Sequence, residues 1–154
     1  LVSAWIDPVA EVTAGSYGTW RLTYVVGPDG VAPGGAIRVD TECDTDWGVP
    51  QLADPQSAEY MTLQTPTDVR IGVLVEDAKS VLMVVKDRKL RPGEALILVY
   101  GDRNGGGPGS RAQTFLEGKR YFRVAVDTAG DGRFRTLPDS PHLTVKVEEL
   151  PQYG

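Results

Sequence analysis

Apolar and polar side chains alternate with a period of two along much of the chain. In residues 18–26, Trp20, Leu22 and Tyr24 share one face, while Arg21 and Thr23 share the other. This alternation is typical of a half-buried β-strand. Further short runs rich in Val, Ile, Leu, Tyr and Thr cover residues 36–43, 60–64, 69–76, 80–86, 94–100, 120–126 and 142–148.

Turn-forming residues separate these runs. Residues 27–30 read Gly-Pro-Asp-Gly, and residues 33–35, 91–93 and 130–132 are similarly rich in Gly, Pro or Asp. Gly tolerates positive φ and Pro presets φ, so such segments end strands. No apolar stripe of helical period extends over three turns. We therefore predict one all-β domain over residues 1–154, an immunoglobulin-like antiparallel two-sheet sandwich of about eight or nine strands.

The apolar positions of the runs give the predicted core. A shift of one residue in strand register would move each apolar set into water, so the alternation specifies which residues face inward. The predicted core residues are Trp5, Trp20, Leu22, Tyr24, Ile37, Val39, Leu74, Val84, Ile97, Val99, Phe122 and Val124.

Composition and charge agree with a folded domain and narrow its function. The 154 residues are 41% hydrophobic and 24% charged, and the 18 Gly and 11 Pro suit many turns. The net charge is −5, the isoelectric point is about 4.9, and the cations are scattered. Nucleic-acid binding needs a clustered cationic surface, so we expect no nucleic-acid partner. Without a basic amphipathic segment, we expect no membrane partner either.

Reactive side chains are few. With one His and one Cys, most catalytic groupings cannot be assembled, so the sequence predicts no catalytic residue, metal site or cofactor in this chain. Cys43 follows an apolar run and suits a small buried residue. Residues 127–138 are not a calcium loop of the EF-hand type, because Pro138 stands where a bidentate Glu is required. A single Cys leaves the cellular compartment open.

Two long segments, residues 44–58 and 101–114, interrupt the regular strand spacing. Loops of this length are usually functional or disordered. The first contains Asp44, Asp46 and Trp47, with Tyr60 soon after. Carboxylates beside an exposed Trp suit saccharide binding, in which the ring packs on a pyranose face. Calcium binding is an alternative, and so is a turn whose Trp covers the end of the sandwich.

The second long segment is rich in glycine. Five Gly lie within residues 101–109, which allows a close approach to another backbone. Arg103, Arg111 and Gln113 are candidate donors to an acidic ligand or to a neighbouring domain. The alternative is a connection between strands that carries a structural arginine.

Residues 20–27, 31–39, 46–51 and 101–115 together resemble the amino-terminal region of a group of uncharacterised, mainly bacterial proteins. In that family this region precedes a metal-dependent hydrolase domain of the polymerase-and-histidinol-phosphatase type. The resemblance implies that the metal ligands, mostly His and Asp, belong to the downstream domain. It also implies that Asp102, Arg103, Arg111 and Gln113 are part of the family's loop, without a catalytic role.

These observations give two expectations for function. The first is a non-catalytic accessory domain of a larger hydrolytic bacterial protein, with residues 101–114 packed on the catalytic domain. A chain that starts at Leu1 and stops at Gly154 fits an excised or processed domain. The alternative is a stand-alone module that binds a carbohydrate or an anionic ligand. The residues expected to bind that ligand are Asp44, Asp46, Trp47, Tyr60, Arg103 and Arg111.

Overall fold

The computed structural model describes residues 3–8, 11–41, 45–77 and 80–148. None of these residues is helical, so no described segment is a helix able to cross a membrane. The strands are β1 (Ser3–Asp7), β2 (Val12–Thr13), β3 (Tyr17–Gly18), β4 (Trp20–Val25), β5 (Ala36–Asp40), β6 (Met61–Gln64), β7 (Arg70–Asp77), β8 (Ser80–Lys86), β9 (Ala95–Tyr100), β10 (Ser110–Arg111), β11 (Glu117–Tyr121), β12 (Arg123–Asp127), β13 (Arg135–Thr136) and β14 (His142–Lys146).

Two antiparallel sheets form the body of the fold. One has four strands in the order β1-β4-β9-β6, and the other has five in the order β13-β12-β5-β8-β7. A three-stranded sheet, β11-β14-β2, and the short pair β10-β3 complete the described structure. Strand β14 runs antiparallel to β11 but parallel to β2, with Val145 opposite Val12.

Apolar residues from both large sheets meet in one core. In the four-stranded sheet, Leu22 is paired with Leu98 and faces inward. In the five-stranded sheet, Val39 of β5 lies between Val124 of β12 and Val81 of β8. All five side chains belong to one buried hydrophobic cluster. The all-β antiparallel sandwich predicted from the sequence is therefore confirmed, whereas the immunoglobulin-like assignment stays a prediction.

Most of the predicted core is buried, but Trp5 and Leu74 were predicted wrongly, since they are 44% and 56% exposed. Val84 and Ile97 are only half-buried. The cause is that β1, β7, β8 and β9 carry apolar side chains on both faces, so alternation does not show which face is inward. The confirmed core residues are Trp20, Leu22, Tyr24, Ile37, Val39, Val99, Phe122 and Val124.

A charged side chain also lies inside the protein. Arg120 of β11 is 1% exposed, although its side chain is long and carries a positive charge. Its guanidinium donates to the carbonyl of Thr41 at 2.9 Å and to the Glu117 carboxylate at 3.0 Å. Burial of a charge is costly unless it is paired and hydrogen-bonded, and these two acceptors supply an ion pair and two hydrogen bonds that offset part of that cost.

Two matched leucine truncations test the assignment of the inward faces. Leu98→Ala should lower the free energy of unfolding by about 2–5 kcal/mol, because it leaves a cavity in the core. Leu74→Ala should change it by less than about 0.5 kcal/mol, because the side chain is exposed. Urea denaturation measures both values. Equal losses at the two positions would contradict the inward assignment of β9 and the outward assignment of Leu74.

Candidate functional site

The two long segments meet at one end of the sandwich. We call this surface the loop end and define it as residues 45–60 and 101–116. Three backbone hydrogen bonds join the segments: Glu59 N to Gly109 O, Asp102 N to Tyr60 O and Gly48 N to Arg111 O, at 2.8–3.0 Å. The sequence-predicted residues Asp46, Trp47, Tyr60, Asp102, Arg103, Arg111 and Gln113 therefore come together. Asp44 and Cys43 lie outside the described residues.

Trp47 is buried, so the prediction of an exposed stacking ring is wrong. Its side chain is 6% exposed and makes edge-to-face contacts with Trp20 and Phe122, at centroid distances of 5.0 and 5.6 Å. The indole N–H donates to Ser110 Oγ at 3.3 Å. The alternative considered from the sequence, a Trp that covers the end of the sandwich, describes this position.

The Asp46 carboxylate is used to hold the neighbouring segment. It accepts hydrogen bonds from the backbone N–H and the hydroxyl of Thr114, and the Arg111 guanidinium lies 4.0 Å away. The Thr114 hydroxyl, followed by the Thr114 N–H, lowers the pKa of Asp46 below its ordinary value. Asp46 is therefore ionised at neutral pH and acts as an acceptor within the protein, not as a general acid.

The Asp102 carboxylate has a comparable internal role. It accepts from Thr62 Oγ1 at 2.7 Å and from Asn104 N at 2.8 Å. The Thr62 hydroxyl is the larger cause of a lowered Asp102 pKa, and the Asn104 N–H adds to it. The first bond ties the loop to β6, and the second shapes the turn that begins the glycine-rich stretch.

Gln113 is fully buried and does not present a free amide to solvent. Its side-chain oxygen accepts from Thr45 Oγ1 at 2.8 Å. Its Nε2 donates to the Phe115 carbonyl and to the Glu117 carboxylate, both at 3.1 Å. The two arginines differ from Gln113, because Arg103 is exposed and the Arg111 side chain is 43% exposed.

Glu59 connects the two segments most directly, and sequence reasoning missed it. Its carboxylate accepts from Ser110 Oγ at 2.7 Å and from Arg111 N at 2.8 Å. A Cβ on Gly48 would lie 2.0 Å from that carboxylate. The carboxylate of Glu59 therefore occupies space that any side chain at position 48 would fill. The Asp-Trp-Gly run could have drawn attention to Gly48, but nothing in the sequence connects it to Glu59.

Glycines of the second segment pack on the first. A Cβ on Gly105 would lie 2.5 Å from Cβ of Pro55, and one on Gly107 would lie 2.7 Å from the carbonyl oxygen of Ser57. A Cβ on Gly109, whose φ is +105°, would lie 2.8 Å from the Arg103 Nε. The close approach predicted from the glycines is thus made within the chain.

Clefts also lie outside the loop end. One, of about 580 Å³, lies near the opposite end of β4, between Asp29, Asp131, Arg133 and Arg135. Asp127 borders it and accepts the N–H groups of residues 130–132, which shapes the hairpin turn expected from the sequence. Among the described residues, no three His, Cys, Asp or Glu side chains are grouped to hold a metal ion.

Another cleft is rich in aromatic side chains, and we call it the aromatic groove. It measures about 490 Å³ and is lined by Trp5, Tyr121 and His142, with Lys119 and Asp139 supplying charged groups. The Tyr121 and His142 rings meet edge to face at 5.4 Å. Sequence reasoning missed this groove, because it placed Trp5 in the core.

Comparisons with known proteins give no relative. No protein-family model matches the chain, and no curated protein shows significant similarity to it.

A double-mutant cycle tests whether the absence of a side chain at Gly48 is required for the position of the Glu59 carboxylate. Gly48→Ala should lower the free energy of unfolding by about 1–3 kcal/mol, because the new methyl displaces the carboxylate from Ser110 and Arg111 N. In the Glu59→Ala background the same substitution should cost much less, because the obstructing carboxylate is gone. Urea denaturation of the four proteins measures the coupling. Additive effects of the two substitutions would show that Gly48 is not required by Glu59.

Proposed function

We propose that the chain is a non-catalytic accessory domain whose loop end docks on a catalytic domain of the same protein. The first support is the use of its carboxylates. Asp46, Glu59 and Asp102 each accept two hydrogen bonds from side chains and backbone of their own chain. Such carboxylates hold two loops in one conformation, which suits a preformed docking surface better than proton transfer.

The observation that carries the proposal is the distribution of exposed apolar side chains. Of the eight large apolar residues exposed within the described ranges, Val49, Leu52, Phe115 and Leu116 lie on the loop end. A fifth, Tyr17, lies on β3, which is paired with β10 at the same end. Exposed apolar side chains concentrated on one surface are typical of interaction sites.

The arginines of the loop end indicate which groups the partner surface should carry. The loop end also carries the exposed side chain of Arg103 and the 43% exposed side chain of Arg111. Arginine and aromatic residues are enriched at protein interfaces, and interfaces between domains of one chain are moderately polar. An apolar patch with a carboxylate opposite the exposed Arg103 would complement this surface. From the resemblance of the sequence, the proposed partner is a metal-dependent hydrolase domain of the polymerase-and-histidinol-phosphatase type.

The combined substitution Phe115→Ser and Leu116→Ser tests this docking. It should weaken binding of the chain to the parent protein's catalytic domain at least tenfold, because it removes about half of the exposed apolar surface. Titration calorimetry with the separately produced catalytic domain measures the affinity. Val147→Ser is the matched control, since Val147 is 51% exposed and lies beyond β14. No binding by the unsubstituted chain, or equal affinity of all three proteins, would refute the docking.

The aromatic groove supports a second candidate function, the binding of a saccharide. The indole of Trp5 is 44% exposed beside Tyr121 and His142, which suits stacking on a pyranose ring. Lys119 and Asp139 supply a donor and an acceptor for hydroxyl groups. This candidate keeps the ligand class considered from the sequence but moves it away from Trp47, which is buried.

Trp5→Ala tests the saccharide proposal. The substitution should abolish binding of oligosaccharides, measured by isothermal titration against a panel of neutral and acidic glycans, because the stacking surface is lost. Tyr17→Ala is the control, since Tyr17 is an aromatic residue with 51% exposure that lies on β3. Unchanged binding by Trp5→Ala would place a saccharide site elsewhere, and no binding by the unsubstituted chain would end this candidate.

A further inference from the structure

The turn at residues 103–106 contains a chemically reactive pair of residues. Asn104 is the only Asn of the chain, and Gly105 follows it directly. The side-chain amide of an Asn lies within reach of the next backbone nitrogen, and a following glycine leaves that nitrogen unshielded because it has no Cβ. Attack of this nitrogen on the amide carbon closes a five-membered succinimide ring. The sequence Asn-Gly therefore hinders this ring closure least, provided that the fold leaves both groups free.

The fold leaves both groups of this pair free. Arg103, Asn104, Gly105 and Gly106 are all exposed. Among the described residues, no acceptor takes the Gly105 N–H, and the Asn104 side-chain amide makes no hydrogen bond. A hydrogen bond from Gly106 N to Arg103 O, at 2.9 Å, closes the turn. Rotation of the Asn104 side chain towards Gly105 N consequently displaces no buried group.

The chain has two further pairs of related chemistry, in which Asp precedes Gly, and their glycine N–H groups are engaged. In the pair at residues 29–30, the glycine N–H donates to Gly27 O at 3.0 Å. In the pair at residues 131–132, it donates to the Asp127 carboxylate at 2.9 Å. A hydrogen-bonded N–H exchanges its proton with solvent only after local opening, so it is a poor source of a nucleophile. Of the three pairs, the fold leaves only Gly105 N accessible.

We propose that Asn104 is a site of spontaneous deamidation, with Gly105 N as the nucleophile. After losing its proton to solvent, this nitrogen forms a bond to Asn104 Cγ. The bond from Cγ to the amide nitrogen breaks, and that nitrogen takes up a proton and leaves as ammonia. Water then hydrolyses the succinimide. Cleavage between Gly105 N and Cγ gives aspartate, and cleavage between Gly105 N and the backbone carbonyl carbon of residue 104 gives isoaspartate.

Both products change the loop end. Each replaces a neutral amide by a carboxylate, so the net charge falls by one from −5. The new charge is adjacent in sequence to the exposed Arg103 and close to Asp102, whose own carboxylate accepts the Asn104 N–H. Isoaspartate also lengthens the main chain by one atom directly before Gly105. A Cβ on Gly105 would lie 2.5 Å from Pro55 Cβ, so the contact between the two segments has little room for that atom.

Mass spectrometry of the full, folded chain tests the reaction. Incubation in buffer should give a first-order increase in intact mass, because an amide NH₂ is replaced by a hydroxyl group. The rate should rise about tenfold per pH unit from about pH 7 to about pH 9, because the deprotonated fraction of a very weak acid rises by that factor. Peptide mapping should place the change at residue 104.

Asn104→Gln is the matched control for this measurement. It keeps an exposed amide, but the corresponding ring has six members and closes far more slowly, so the increase in mass should disappear. A constant mass of the unsubstituted chain, or an increase that persists in N104Q, would refute the proposal. Thermal unfolding shows that the variant remains folded, as expected for an exposed position.

Asn104→Asp tests the importance of the free Gly105 N–H. This variant has three Asp-Gly pairs of identical chemistry, at residues 29–30, 104–105 and 131–132. In the folded chain, isoaspartate should accumulate at position 104 at least about fivefold faster than at positions 29 and 131, because the other two glycine N–H groups are protected by hydrogen bonds. In denaturant the three rates should converge. Equal rates in the folded chain would overturn the structural basis of the proposal.

The effect of deamidation on docking rests on the proposed function and has its own measurement. A carboxylate at position 104 should repel a partner carboxylate that faces Arg103, so N104D should bind the catalytic domain more weakly than N104Q. Titration calorimetry with the separately produced catalytic domain compares the two variants. Equal affinities would refute the effect on docking, and no binding by either variant would refute docking itself. Deamidation is decided by the mass measurement alone.

Discussion

The packing of Trp47 between Trp20 and Phe122 is the contact on which the organisation of the loop end depends. Trp20 begins β4 of the four-stranded sheet, and Phe122 lies between β11 and β12, so the indole joins the two layers of the sandwich. Edge-to-face aromatic pairs contribute about 0.5–1.5 kcal/mol each beyond the area that they bury. The indole N–H then positions Ser110, whose hydroxyl donates to Glu59. One buried ring therefore fixes where both long segments can run.

Most of the longer strands could be predicted, because each has its own short run of apolar residues bounded by turn residues. The runs at residues 36–43, 69–76 and 80–86 correspond closely to β5, β7 and β8, since β-branched residues bounded by Gly, Pro and Asp seldom adopt another structure. The two-residue strands were missed, because two residues carry no period. Their pairing is also non-local: β2 pairs with β14, from the far end of the chain. Face assignment failed at Leu74, because β7 is apolar on both faces and only tertiary packing chooses between them.

The sequence predicted which segments form the candidate site, but it did not predict the contacts that their side chains make. Long, polar, glycine-containing segments indicated residues 44–58 and 101–114, and the structure joins their described parts at one end. What each side chain does depends on partners distant in sequence. Asp46 is engaged by Thr114, and Glu59 by Ser110, pairs whose spacing no local pattern reports. An Asp followed by a Trp looks the same in the sequence whether the two side chains face solvent or contact other residues of the same chain.

Glycine in a long loop indicates that something comes close, but it does not say whether that neighbour is internal or external. Here Gly105 and Gly107 approach residues 55–57 of their own chain, so their composition is already explained without a ligand. Evidence for an external partner has to come from side chains that internal packing leaves uncovered. Those are the apolar residues of the loop end, the ring of Trp5 and Leu74 on the outer face of β7. The first two surfaces share no residue and use different physical interactions, respectively apolar docking and aromatic stacking. Each proposal consequently stands or falls on its own measurement.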